Sequence, residues 1–209
     1  MYIKALVLGP VSANCYIICD EAAKVGAVID PGDFNGTLLK EIRASGMNEL
    51  KYIFCTHGHF DHIAGVGRLK EQYPGAQILV GEKDAAALND SVLSLAAYFG
   101  APFYPCIADK ALKDGDTITM GNIDFKVIAA PGHTQGGVMY YCENEKAVFT
   151  GDTIFKGSVG RTDFFGGSMP TLMNTLKTIK KLPPDVDIYS GHGECTTVKN
   201  EKEYNMYLR

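Results

Sequence analysis

The chain has no Cys-x-x-Cys pair, no cysteine-dense stretch and no apolar run approaching the length of a bilayer span. Basic residues are in deficit: 20 Lys and Arg against 24 Asp and Glu give a formal charge of −4. A partner held through many phosphates needs a Lys/Arg surplus on some face. The small cluster Lys177, Lys180 and Lys181 amounts to one solvated helix face. Neither nucleic acid nor a membrane is therefore an expected partner. The six cysteines (15, 19, 55, 106, 142, 195) lie mostly inside apolar runs, as reduced thiols acting as small hydrophobes do. The apolar stretch after Lys4 is too short for a secretory core, so the cytoplasm is the expected location.

Histidine is sparse as well, yet all five sit in short loop motifs. Three fall in Thr56-His57-Gly58-His59-Phe60-Asp61-His62, one in Pro131-Gly132-His133-Thr134 and one in Gly191-His192-Gly193. With Asp152 in Thr150-Gly151-Asp152, seven candidate metal ligands lie on four loops. Neutral imidazole and carboxylate are the usual donors to zinc, iron and manganese. His57 and His59 are one residue apart, so on an extended segment both can project to one side. Asp61 and His62 follow where the chain turns into a helix and can aim at a second point. His133 and His192 are the histidines left to complete either set, and Asp152 is suited to bridge two ions.

At 209 residues and 46% apolar content, the chain fits one domain, 1–209, with a single good core. Apolar and β-branched runs predict strands at Ile3–Leu8, Asn14–Cys19, Gly26–Ile29 and Lys51–Cys55. Helical spacing marks Phe34–Ala44 and Ile63–Tyr73, with a strand at Gln77–Val80 and helical pieces at Ala85–Leu88 and Val92–Phe99. The second half repeats the logic. Thr117–Met120 and Ile123–Ala129 read as a hairpin closed by Gly121-Asn122, and Val138–Cys142 pairs with Ala147–Thr150. Met169–Lys181 is a helix stopped by Pro183-Pro184, and Asp187–Ser190 is a last strand. Strands followed by helices in both halves predict two sheets packed face to face with helices outside and the ligands along one rim.

The four motifs, in this order, resemble the metallo-β-lactamase superfamily, with a likeness running from Asn14-Cys15-Tyr16 and Asp30-Pro31-Gly32 to Gly193. That resemblance implies an α/β fold, the four-layer αβ/βα sandwich, and two divalent metal ions, zinc first and iron or manganese as alternatives. It assigns His57, His59 and His133 to one metal, Asp61, His62 and His192 to the other, and Asp152 as bridge. Phe149–Phe155 with Gly160-Arg161-Thr162-Asp163 further resembles the glyoxalase II branch, which hydrolyses thioesters such as S-lactoylglutathione. In that branch a basic residue at the place of Arg161 lies near the substrate carboxylate. Glutathione-binding members carry tyrosines where this chain has Asp163 and Glu194, and a helical C-terminal domain. The closer likeness is to short members lacking that domain.

The residue types also suit the chemistry. Two cations about 3.5–4 Å apart can hold a bridging water as hydroxide and polarise a carbonyl, with Asp61 and Asp152 orienting it as catalytic carboxylates. A thiol of pKa about 8.5 departs without a strong general acid. The expected substrate is a small-molecule thioester. Two other readings are a persulfide dioxygenase with one iron on His57, His133 and Asp152, and a lactonase-type hydrolase. The former branch usually has alanine where this chain has Phe60.

Overall fold

Strand β2 (Ala13–Asp20) is buried at every position, so both of its faces must be covered. The computed structural model, which describes all 209 residues, shows how. β2 lies between β1 (Tyr2–Leu8) and β3 (Val25–Ile29) in a six-stranded sheet continued by β4 (Glu49–Phe54), β5 (Gln77–Gly81) and β6 (Lys110–Leu112). The β1–β3 pairings are antiparallel and the rest parallel. A second sheet has the order β14 (Thr196–Thr197), β13 (Asp187–Ser190), β10 (Ala147–Gly151), β9 (Val138–Cys142), β8 (Ile123–Ala129), β7 (Thr117–Met120).

The two sheets bury an aromatic-rich layer between them, including Tyr16, Phe54, Phe125, Tyr140 and Phe149. Tyr140 crosses this layer, and its hydroxyl donates to the Cys55 carbonyl at 2.7 Å. Outside the first sheet, α1 (Gly36–Ala44) and α3 (Val66–Gln72) pack Leu38, Ile42, Val66 and Leu69 onto Ile17, Ile53 and Ile78. Outside the second, α5 (Met169–Ile179) and α6 (Val198–Tyr204) pack Leu172, Leu176 and Val198 onto Met139, Val148 and Ile188. The result is the αβ/βα sandwich.

The local departures from expectation have physical causes. The helix expected over Ile63–Tyr73 splits into α2 (Phe60–Ile63) and α3, because Gly65 closes onto the loop before α1 and donates to the Pro31 carbonyl at 2.8 Å. A Cβ there would collide with the Asp33 and Pro31 carbonyls. Residues 82–89 form a 3-10 helix. Only Ala96–Phe99 (α4) of the expected Val92–Phe99 is helical, since Leu95 is left-handed at φ 66°. β6, β14, α6 and a two-residue ribbon of β11 (Ile154–Phe155) and β12 (Ser158–Val159) were not foreseen. α6 reads as polar because its buried positions are only Val198 and Glu201. No helix is long and apolar enough to cross a membrane.

Candidate metal centre

All four histidine and aspartate motifs begin within a few residues of a strand's C-terminal end, on one rim of the sandwich. β4 feeds Cys55-Thr56-His57, β8 feeds Pro131-Gly132-His133, β10 ends beside Asp152 and β13 ends beside His192. His57 leaves on a bend and His59 on extended backbone at φ −73°, ψ 145°, and α2 begins at the next residue. Asp61 and His62 therefore project from a helical turn while the first two histidines do not.

The seven residues converge. Donor atoms of His57, His59 and His133 lie within 4.8 Å of one another, and so do those of Asp61, His62 and His192. Asp152 stands between the groups, with Oδ1 3.4 Å from His62 Nε2 and Oδ2 3.5 Å from His133 Nε2 and 3.6 Å from His192 Nε2. A third set, Asp30, His57 and His62, is equally compact, but the oxygens of Asp30 are already engaged. They accept Thr56 N at 2.7 Å, Thr56 Oγ1 at 2.6 Å and His62 Nδ1 at 3.1 Å.

These outer contacts fix the imidazoles. His62 Nδ1 donates to Asp30, His133 Nδ1 donates to the Arg161 carbonyl at 2.7 Å, and His57 Nδ1 lies 3.1 Å from Thr56 Oγ1, whose own proton goes to Asp30. A proton on each outer nitrogen leaves the Nε2 lone pair facing inward, as a ligating histidine requires. His57 Nε2 and Asp152 Oδ1 are buried with no hydrogen-bond partner, a condition that costs roughly 1–3 kcal/mol per atom. His59 Nδ1 and His133 Nε2 face each other at 2.8 Å, so a proton or a cation must lie between them. The donor set and its orphaned atoms fit zinc, iron or manganese.

Charge follows the same logic. Burial pushes His57 well down and His59 to about 3, reinforced by neighbouring imidazoles, so both are neutral donors. Burial also opposes charge on His62, but Asp152 and Asp61 outweigh it and raise that histidine well above its ordinary range. His192 is raised too: burial is overcome by its hydrogen bond to Asp61 and by the charge of Asp152. Burial pushes both carboxylates up, yet both end low, Asp61 through His62 and His192 and Asp152 through His62, His133 and His192. The site demands positive charge between its carboxylates.

Arg161 lines the cavity above this cluster. Its guanidinium forms a two-point pair with Asp163 at 2.7 and 2.6 Å and lies 4.0 Å from the Phe164 ring centre. Three further residues, to which the sequence assigned no role, hold the loops in place. Buried Asp84 accepts Gly58 N at 3.0 Å and Gly136 N at 2.7 Å, tying the His57–His59 loop to the His133 loop. Asn14 Nδ2 reaches the Ser190 and Gly193 carbonyls at 2.9 Å, and Tyr16 Oη the Ser190 carbonyl at 2.6 Å, so β2 holds the His192 loop. Only the motif Asn14-Cys15-Tyr16 could have signalled this.

Residues 8–192 match the family model of the metallo-β-lactamase superfamily, and the chain belongs to that superfamily. The hydroxyacylglutathione hydrolase GloC of Haemophilus influenzae is 34% identical, covering 95% of this chain and 95% of its own. Among solved structures, the B3 metallo-β-lactamase BLEG-1 superposes with a TM-score of 0.93 at 31% identity, covering 99% of both chains. TTHA1623, crystallised in a di-iron-bound form, gives 0.88 at 32% identity over 98% of this chain and 100% of its own.

Proposed function

We propose that this protein is a metal-dependent thioester hydrolase of the glyoxalase II-like kind. The observation that carries the proposal is the position of Asp152 between two three-residue donor groups, at the base of a cavity of about 480 Å³. In this reading His57, His59 and His133 would hold one divalent cation, Asp61, His62 and His192 would hold a second, and Asp152 would contribute to both. Zinc is the first candidate, with iron or manganese as alternatives. When bound, such a pair of cations supplies an easily deprotonated water and a Lewis acid for the acyl carbonyl.

The chain's own groups do the positioning. Asp61 and Asp152, held as carboxylates, accept hydrogen bonds from the attacking water and aim its lone pair at the acyl carbon. The water oxygen bonds to that carbon, the C–S bond breaks, and sulfur leaves with the electron pair. The products are a carboxylate and a thiol, and one proton passes to solvent. Thr56, Asp30 and the Arg161 carbonyl keep the imidazoles aligned throughout. The six free cysteines support a reducing compartment, the cytoplasm.

The test is elemental analysis after reconstitution, combined with hydrolysis assays on S-lactoylglutathione and simpler thioesters. Two metal ions per chain and measurable hydrolysis are expected. One metal or fewer, with oxygen consumed on glutathione persulfide and every thioester left intact, overturns the reading.

A further inference from the structure

The cavity above the candidate metal centre has two unlike surfaces. Its floor is His59, Asp61, His133, Asp152 and His192, while most of the wall is Val11, Phe60, Leu95, Phe99, Phe155, Val159 and Phe164. The aromatic part of that wall is continuous. Phe99 packs on Phe60 at 5.3 Å and on Phe164 at 5.8 Å between ring centres, and Phe164 reaches His59 at 6.1 Å. Phe155, which also lines the cavity, lies 5.9 Å from His192. Phe99 remains 50% exposed and Tyr98 beside it 77%, so these rings are not filling the core. Clustered apolar surface left open beside a polar floor marks a ligand face.

The charges on these walls are already matched. Arg161 is the sole Lys or Arg lining the cavity, and its charge is neutralised by Asp163, which takes the Nε and Nη2 edge of its fork. Just outside, Lys156 is paired with Glu194. A carboxylate on the acyl group would meet no unpaired cation on this wall and would have to compete with Asp163 for Arg161 while displacing water from apolar rings.

Resting on the hydrolase reading, we propose that the acyl half of the substrate is neutral and apolar, an aromatic or branched aliphatic group seated between Phe99, Phe164 and Phe155. The thioester carbonyl then lies over the floor and the thiol half points toward the opening. Lactoyl, small and hydroxylated, leaves most of the wall uncovered.

The experiment uses the metal-loaded protein and a series of thioesters of one neutral thiol, N-acetylcysteamine. Burial of a ring or branched chain predicts kcat/KM for phenylacetyl and isovaleryl about tenfold or more above acetyl, with succinyl below all three. Phe99→Ala and Phe164→Leu should narrow the phenylacetyl-to-acetyl ratio. A flat series, or a preference for succinyl, overturns the apolar pocket while leaving thioester hydrolysis intact. If no thioester is cleaved, the hydrolase reading fails on its own, and binding then decides the pocket. Calorimetry with the thioethers S-phenethyl- and S-ethyl-N-acetylcysteamine should show the former bound about tenfold tighter. Equal affinities overturn the proposal.

Discussion

The main chain of Arg161, not its side chain, touches the candidate ligand set: its carbonyl oxygen accepts the Nδ1 proton of His133 at 2.7 Å. Truncating the side chain leaves that carbonyl in place. Arg161→Ala should retain its metal, and KM for acidic and neutral thioesters should shift alike and by less than about threefold, as expected for an exposed, already paired cation. Asp163→Ala, by contrast, frees the guanidinium. A new charge-assisted bond of about 1.5–3 kcal/mol should then improve kcat/KM for succinyl thioesters roughly tenfold or more. A tenfold KM increase in Arg161→Ala confined to acidic substrates would instead place this side chain on the substrate carboxylate, as the family resemblance implies.

Asp84 is the next target. One carboxylate serves two loops, so Asp84→Ala strands the Gly58 and Gly136 amides at about 1–3 kcal/mol each. The variant should lose metal to a chelator at lower concentration than wild type, with Asp84→Asn, which keeps one acceptor, in between. Chelator titration followed by elemental analysis checks this. Wild-type retention in Asp84→Ala would show that the two loops hold their positions without the clamp.

Behind the β11–β12 ribbon, buried Glu201 accepts Thr196 Oγ1 at 2.6 Å, Gly157 N at 2.8 Å, Asn200 Nδ2 at 2.9 Å and Asn205 Nδ2 at 2.8 Å. Burial pushes its carboxyl up, but these donors outweigh it and leave the folded value below the ordinary 4.5. A depressed carboxylate contributes stability that is complete above its unfolded value and fades as pH falls through the folded one. Glu201→Gln should therefore be less stable at pH 7 by about 1–3 kcal/mol. Its deficit should shrink as pH drops below roughly 4, the usual range for glutamate. Urea unfolding at several pH values measures this, and a deficit that does not vary with pH would assign Glu201 a packing role only.

Much of this was readable in advance, and the unread part has a common cause. The seven converging residues were legible because side-chain identity itself signals a donor, and the motifs place each one next to a strand end. Asp84 was not, and Asp30 stood in a motif without a role, since an aspartate serving backbone amides and imidazoles looks like any other aspartate until the loops are folded together. The bond from His133 to Arg161 is invisible in principle, because every residue carries a carbonyl. Strand pairs with strong alternation or turn signals, such as β7 and β8, were read correctly. The break at Gly65 and the left-handed Leu95 escaped because both are set by contacts with distant chain, not by local propensity.

Each donor group draws two side chains from the segment after β4 and one from a loop of the second sheet: His57 and His59 with His133, Asp61 and His62 with His192. A cation in either position would thus be a rivet between the two halves of the sandwich, with its affinity coupled to how firmly the halves are docked. Tyr140 supplies one independent fastening between the sheets, through its bond to Cys55 two residues before His57. Tyr140→Phe removes about 1 kcal/mol of that docking, and the loss should surface first as faster metal release, measured by stopped-flow chelation, while the circular dichroism spectrum is unchanged. Metal occupancy is then a gauge of inter-sheet cohesion, sensitive to substitutions that never approach the cavity.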